Sequence, residues 1–370
     1  MSKIRIAVIG LKGLPAYGGA ARSMESIIGY IVRDFDFTIY AIDSHTKVRG
    51  MYNGYNQIIF KSMNNKLLNT FMYYWKCLTH VMLKGTYDLI LMNHAESGFI
   101  IPFLRLKYRV ITTLHGVYTN ERFEDKFGVI ENKLFKVFQW FAFRFSNHLI
   151  SVSQYEMDFC KKFTNAPISY IPNGVNLNEL ISDKAIGSSD YLLFAAARVY
   201  GIKGADIFLK ALKKMNYQGQ ILFIGDLSHD AKYAKYLKNI SENLNIEYLD
   251  IIRDKSLLFK YIDSAQLFIF PSRIEAMSNM LLEVASLKCP IIASDIPANS
   301  SVFNDREVTF FNSEDHLDLA NKIQYSLSNP KVLKAKATRA YEKIQKGYLW
   351  EQSANKYKNL INEYSKYKRI

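Results

Sequence analysis

At 370 residues the chain is too long for one ordinary core and suits two domains of about 150 to 190 residues, and with 49% apolar residues burial is not limiting. Its three cysteines, Cys77, Cys160 and Cys289, match no zinc or disulfide spacing, which suits inert core thiols in a reducing compartment. The formal net charge of +14 is uneven: residues 1–168 carry 21 Lys and Arg against 12 Asp and Glu, so nine of the fourteen excess positive charges fall in that half.

Residues 4–9 read as a strand, because Arg5 interrupts the apolar run and Gly10 ends it before any signal-peptide core could form. The loop Gly10-Leu-Lys-Gly-Leu-Pro-Ala-Tyr-Gly-Gly19 comes next, then a helix over 20–33. Glycines at a strand-to-helix turn let a phosphate approach backbone N–H groups. The compact dinucleotide fingerprint is absent, and no acidic residue is read at the tip of the next strand, 37–41, so NAD binding is disfavoured. A helix over 66–83, strands at 89–92 and 110–114, a helix over 131–146 and a strand at 149–152 continue the βαβ rhythm of a doubly wound parallel sheet.

The two helices are aromatic, with Phe71, Tyr73, Tyr74 and Trp75 in one and Phe135, Phe138, Trp140, Phe141, Phe143 and Phe145 in the other. Beside the basic excess they suit an anionic membrane surface, or simply helices packed on a sheet with solvated lysines. Nucleic acid is disfavoured because the charge is not gathered in one segment. No window of 18 residues is uncharged and apolar; the nearest, 67–83, is broken by Asn69, Lys76 and His80, so no membrane-spanning segment is expected.

Residues 173–190 read as a linker, and Ile171-Pro-Asn-Gly-Val-Asn176 as a turn at the domain junction. A second alternating series succeeds it: strands at 191–195, 220–224, 246–249, 267–270 and 291–293, with helices over 204–214, 229–243, 255–262 and 278–288. Residues 1–172 and 191–347 therefore form two Rossmann-like domains in tandem. The tyrosine-rich end, with Trp350 beyond a break near Gly347, is expected to cross back onto the first domain over about 348–370.

The stretch Pro271-Ser-Arg-Ile-Glu-Ala-Met-Ser-Asn-Met-Leu-Leu-Glu283 carries the most chemistry. Pro271 and Ser272 end a strand and Ser278 is an N-cap, so Glu275 lies in the loop and Glu283 in the helix. The two carboxylates bracket a helix N-terminus over roughly 8 Å, suited to polyols at each end and a phosphate between. Arg198 and Lys203 stand in a strand-to-helix loop, where two cations can clamp a diphosphate. His115 and, one strand earlier, His94 come directly after interior strands, and His115 is the stronger candidate for a chemical role. Asp43, His45 and Glu96 give no metal-ligand spacing.

In order and spacing these motifs resemble glycosyltransferase family 4, the retaining GT-B sugar transferases, over nearly the whole chain. The glycine-rich opening is also similar to the rhamnosyltransferase-like subgroup of bacterial surface-polysaccharide assembly. The resemblance implies an α/β GT-B fold, two doubly wound domains facing a central cleft, with the second binding the nucleoside-diphosphate sugar and the first a saccharide or lipid-linked saccharide acceptor. By the same likeness Arg198 and Lys203 stabilise the leaving diphosphate, Glu283 holds the ribose and Glu275 the donor sugar. Backbone N–H groups of Met277, Ser278 and Asn279 meet sugar and phosphate, Gly18 and Gly19 close on the diphosphate, and His115 sits by the reacting sugar.

No metal or other cofactor is implied, nor a protein nucleophile, although Glu275 is the residue that would serve as one. The setting implied is cytoplasmic, peripheral on the inner face of the membrane. Ala276 stands where the family commonly has glycine, and Ser278 where proline is frequent, which bears on donor identity. Two competing readings are a non-catalytic GT-B partner that binds nucleotide or membrane, and a GT-B sugar-nucleotide epimerase. The latter needs acid/base carboxylates that the first domain does not offer.

Overall fold

The computed structural model of the chain describes residues 3–16, 18–117, 129–180 and 190–366. These form two compact units, one of residues 1–173 with 350–370 and the other of residues 174–349. No described helix is long and apolar enough to cross a membrane.

The first unit is built on an eight-stranded sheet. In chain order its elements are β1 (Ile4–Lys12), α1 (Gly19–Ile31), β2 (Phe35–Ile42), β3 (Gly50–Tyr52), β4 (Tyr55–Phe60), α2 (Lys66–Lys84), β5 (Leu89–Asn93), α3 (Ile101–Leu104), β6 (Arg109–Leu114), α4 (Val129–Phe145), β7 (His148–Ser151), α5 (Gln154–Cys160) and β8 (Ile168–Tyr170). The strand order is β3-β4-β2-β1-β5-β6-β7-β8, parallel except for the β3–β4 hairpin. The chain winds outward from β1 through β2 and then returns to β5 on its other side, so the topological switch lies between β1 and β5. Ligands of open α/β sheets bind at the carboxyl ends of the strands at such a point.

The strands are buried on both faces, which is why they read as unbroken apolar runs rather than alternations. One face packs on Met24, Ile27 and Ile28 of α1 and on Trp350, Tyr357 and Ile361 of the last helix. The other packs on Tyr73, Tyr74, Cys77 and Val81 of α2 and on Ile101 and Ala142. Tyr357 is fixed further by a 2.8 Å hydrogen bond with Thr113, and Ser353 donates to the carbonyl of Pro172 at 2.7 Å.

The second unit carries β9 (Tyr191–Arg198), α6 (Ala205–Lys214), β10 (Gln220–Asp226), α7 (Ala231–Ile240), β11 (Ile246–Leu249), α8 (Lys255–Asp263), β12 (Leu267–Phe270), α9 (Asn279–Ser286), β13 (Ile291–Ser294), α10 (Pro297–Ser300), β14 (Thr309–Phe311), α11 (His316–Ser328) and α12 (Pro330–Gly347). The final helix, α13 (Trp350–Ser365), belongs to the first unit. The six-stranded sheet runs β11-β10-β9-β12-β13-β14, all parallel, and its switch lies between β9 and β12. Ile207, Phe208, Leu212, Phe223, Leu237 and Ile323 make its core.

Some elements go beyond the sequence expectation. The β3–β4 hairpin turns at Asn53-Gly54, both with positive φ, which is the strongest short hairpin signal a sequence offers. The short edge strands β8 and β14 and the short helix α5 carry too few residues for a period to show. An acidic residue does stand at the tip of β2, contrary to expectation, because β2 runs on to Ile42 and Asp43 comes next. Its carboxylate accepts the N–H of Ser62 at 2.8 Å and so anchors the exit from β4. Part of the expected linker, residues 181–189, lies outside the described residues. The three cysteines are buried and unbridged, and burial pushes the Cys160 thiol up to about 12.

Candidate active site

In the second unit the switch point is formed by two loops that touch. The loop after β9 carries Arg198 at the strand end and Lys203 in a single 3-10 turn, Gly201–Lys203. The loop after β12 carries Pro271, Arg273 and Glu275 and leads into α9. Lys203 Nζ lies 2.6 Å from Glu275 Oε1, an ion pair that spans the switch with the two side chains 23% and 13% exposed. Two residues singled out independently in the sequence thus meet in space.

Gly204 is what permits the approach. It caps α6 with φ +66°, and a Cβ placed there would lie 1.9 Å from the carbonyl oxygen of Pro271. A side chain at this position is therefore excluded twice, by the left-handed backbone and by the neighbouring loop. The backbone N–H of Arg273 donates to the carbonyl of Ile202 at 2.8 Å, sewing the loops together.

Arg273, which carried no mark in the sequence, is the main fastener. Its guanidinium donates to both carboxylate oxygens of Asp206 at 2.8 and 3.0 Å, to Glu314 at 2.6 Å and to the carbonyl of Gly201. Asp206 sits in the first turn of α6, its side chain only 7% exposed, and also accepts the hydroxyl of Tyr233 at 2.7 Å. Burial alone would raise its pKa, but the hydrogen bonds from Arg273 and Tyr233 outweigh that and bring it down to about 2.

Ser278 caps α9 as expected, its hydroxyl accepting the N–H of Leu281 at 3.3 Å. The helix begins at Asn279, and Met277 and Ser278 lie immediately before it, so the backbone N–H groups of residues 277–279 stand at a helix N-terminus. Glu283 lies buried in α9 and receives Lys255 Nζ at 3.0 Å; the same ammonium is 3.6 Å from Glu179. Lys255 was not anticipated, since a lysine opening an amphipathic helix carries no distinguishing signal. Arg198 is exposed at the end of β9, beside Asp226, whose carbonyl accepts the N–H of Val199 at 3.0 Å.

In the first unit the switch point holds the glycine-rich loop and the two histidines. A Cβ on Gly10, which has φ +107°, would lie 2.2 Å from the carbonyl oxygen of Asn93. Gly18 and Gly19, by contrast, have no atom within 4 Å of where a Cβ would stand, and both are exposed at the start of α1. His94 and His115 sit just past adjacent parallel strands, β5 and β6, and their rings are 5.0 Å apart. His115 donates from Nε2 to Asn93 Oδ1 at 3.1 Å, which leaves Nδ1 as an acceptor. Burial, with a smaller contribution from His94, holds its pKa well below the usual histidine range, so the imidazole is neutral at neutral pH. Asn93, fully buried at the end of β5, is a further residue that the sequence did not mark.

Among the described residues no group of three or more His, Cys, Asp or Glu side chains is placed to hold a metal ion. What the second unit offers is a lysine and an arginine at one switch-point loop, a helix N-terminus at the other, and a carboxylate at each end of that helix start. These are the groups that accept a phosphate and polyhydroxyl rings.

Two family models cover almost the entire chain: "Glycosyltransferase Family 4" matches residues 17–179, and "Glycosyl transferases group 1" matches residues 178–345. The chain is a family 4 glycosyltransferase. Among curated relatives, the O-antigen biosynthesis glycosyltransferase WclY of Escherichia coli is 22% identical over 266 residues, 70% of this chain and 73% of the relative. The UDP-Gal:alpha-D-GlcNAc-diphosphoundecaprenol alpha-1,3-galactosyltransferase of Escherichia coli is 22% identical over 307 residues, 76% of this chain and 77% of its own.

Solved structures share the fold of this transferase at low identity. Sucrose-phosphate synthase from Thermosynechococcus elongatus superposes with a TM-score of 0.84 at 17% identity, covering 98% of this chain and 99% of that one. Anabaena HepE in complex with UDP and glucose gives 0.79 at 16%, covering 97% and 100%. The two Rossmann-like units are those of the GT-B fold, as the family resemblance implied.

Proposed function

We propose that this family 4 glycosyltransferase is a retaining enzyme that moves a sugar from a nucleoside-diphosphate donor to a lipid-linked saccharide in bacterial surface-polysaccharide assembly. The observation that carries the donor half is the Lys203–Glu275 pair across the switch point of the second unit, next to the N-terminus of α9. Lys203 and Arg198 face the diphosphate, whose negative charge grows as the glycosidic bond breaks; fixed cations and helix-end N–H groups stabilise that charge without reorganising. Glu275 holds hydroxyls of the transferred sugar, the N–H groups of Met277, Ser278 and Asn279 meet its phosphate, and Glu283 holds the ribose. On the first unit Gly18 and Gly19 stand exposed at the start of α1, and the neutral His115 imidazole can accept a hydroxyl's hydrogen bond at Nδ1.

Retention results if the leaving phosphate accepts the acceptor's proton on the face it vacates, so that neither a protein nucleophile nor a metal is required. The acceptor half rests on the relatives, one named for O-antigen biosynthesis and one for a diphosphoundecaprenol-linked sugar. Such an acceptor places the reaction at a membrane surface. Incubating the full chain with nucleoside-diphosphate sugars and bacterial lipid extract is expected to yield a glycolipid whose new linkage, read by NMR, keeps the donor's anomeric configuration. An inverted linkage, or donor turnover that leaves every lipid unmodified, would sink the proposal.

A further inference from the structure

Two helices of the first unit are apolar on both faces. The inner side of α2 is spent on the sheet through Tyr73, Tyr74, Cys77 and Val81. Its outer side shows Leu68, Phe71 and Trp75 at helical spacing, all more than 40% exposed. On α4, Phe135, Ala142 and Phe143 are buried, while Val137 and Trp140 are exposed to 50% and 54%. A helix that merely covers a sheet needs one apolar face. The outer aromatics of α2 and α3 are joined through Phe99 to Phe138 of α4. Trp75 stacks on Phe71 (6.4 Å), Phe71 on Phe99 (5.0 Å), and Phe99 meets Phe138 of α4 at 4.6 Å; Phe103 of α3 sits edge-on to Trp75 at 6.3 Å. Between α2 and α4 this surface dips into a hollow of about 260 Å³ bordered by Phe71, Phe99, Leu134 and Phe138.

The same segments are basic: 66–84, 95–109 and 129–145 each carry three Lys or Arg, nine in all, against Glu96 at the hollow and Glu131, and of the nine Arg105 is turned inward to the carbonyl of Phe145. A second copy docking by two-fold symmetry would set these charges against themselves, whereas an anionic lipid surface neutralises them. Aromatic side chains on a basic face are what seats a protein in the headgroup region.

We infer that the outer face of α2, α3 and α4 is the surface by which this transferase lies on an anionic phospholipid bilayer, its aromatic ladder entering the interface and its lysines and arginines meeting lipid phosphates. The inference names the membrane-facing side under the proposed lipid-linked acceptor and rests on that reading for its biological setting, but its physical content is testable alone.

The chain supplies its own probe. Of its three tryptophans, Trp75 on α2 and Trp140 on α4 are exposed and Trp350 is buried at 5% exposure. Vesicles of phosphatidylcholine with about a third phosphatidylglycerol are expected to blue-shift the full chain's fluorescence and to co-sediment it, less so as salt rises. Phosphatidylcholine alone is expected to do so at least about tenfold more weakly. The double variant Trp75→Asp, Trp140→Asp is expected to lose at least about tenfold in vesicle affinity, and Phe71→Ser with Val137→Ser, which keeps both reporters, to lose the blue shift. Nucleoside-diphosphate binding should be unchanged in both, which shows that the fold is intact. Wild-type protein indifferent to anionic vesicles, variants that bind like wild type, or a dimer that the variants dissolve would overturn the inference. Vesicle binding without nucleotide binding would instead leave the face standing and remove the donor-site proposal.

Discussion

Replacing Lys203 by alanine is expected to slow sugar transfer by about a hundred- to a thousandfold, with a smaller change in acceptor KM. Lys203 reaches across the switch point to Glu275 at 2.6 Å, on a turn that Gly204 holds against Pro271. An ammonium there is fixed before substrate arrives, and its attraction for the diphosphate strengthens as the leaving group gains charge. That difference between ground and transition state is what lowers a barrier.

Glu275 is the other half of the test. As a contact to donor hydroxyls it tolerates Glu275→Gln with a loss of about tenfold, because the amide keeps the hydrogen-bonding shape. As a nucleophile it would be irreplaceable: Glu275→Gln would show no turnover, and Glu275→Ala would turn over only when a small anion such as azide filled the vacated space. Steady-state rates of wild type, Lys203→Ala, Glu275→Gln and Glu275→Ala, the last with and without azide, separate the two cases. Unchanged rates in Lys203→Ala would remove the cation from the mechanism.

The second large effect is on stability. Arg273→Ala or Asp206→Ala is expected to destabilise the second unit by about 3 to 5 kcal/mol, since either leaves a charge behind in a site built for two. Asp206 is the more severe of the two, because its loss also strands the Tyr233 hydroxyl and removes an acidic group from the first turn of α6.

The carboxylate predicts an acid limb as well. With a folded pKa of about 2, below its ordinary value of 3.8, Asp206 binds its proton more weakly in the folded state. Its contribution of about 2 kcal/mol is complete above roughly pH 4 and fades as pH falls from there through about 2. Urea denaturation monitored by circular dichroism from roughly pH 2 to pH 6 should show this limb in wild type and lose it in Asp206→Asn. A limb of equal size in the variant would mean that other carboxylates carry it.

Much of the fold was legible because parallel strands buried on both faces print as short apolar runs, and glycine or an N-cap punctuates the turn after each. Residues 246–249 and 267–270 were placed as observed, and Ser278 caps the helix that carries Glu283. Helix ends were less secure. The span expected over 229–243 is a helix only from Ala231 to Ile240, started by the Asp230 side chain on Tyr233 and left behind before Asn243 at φ 68°.

Strand order was not legible, and with it the fact that Arg198 and Glu275 lie beyond strands on either side of one switch. Nor could Asp206 and Arg273, 67 residues apart, announce their pairing, since an aspartate in a first helical turn and an arginine after a strand are each ordinary alone. Lys255 and Asn93 were hidden for the same reason: their meaning lies in what they touch, Glu283 and His115. The aromatic residues of α2 and α4 are plain in the sequence, yet only their exposure separates a surface built to meet something from a second core.

Whether the switch point of the second unit is the donor site can be decided by titration calorimetry with nucleoside diphosphates on wild type and on Lys203→Ala. One nucleoside diphosphate should bind wild type at a single site and raise its stability by about 2.7 kcal/mol at a hundredfold excess over Kd, with affinity falling at least about tenfold in Lys203→Ala. Equal affinity in the two proteins, or no nucleoside diphosphate bound by either, would contradict it.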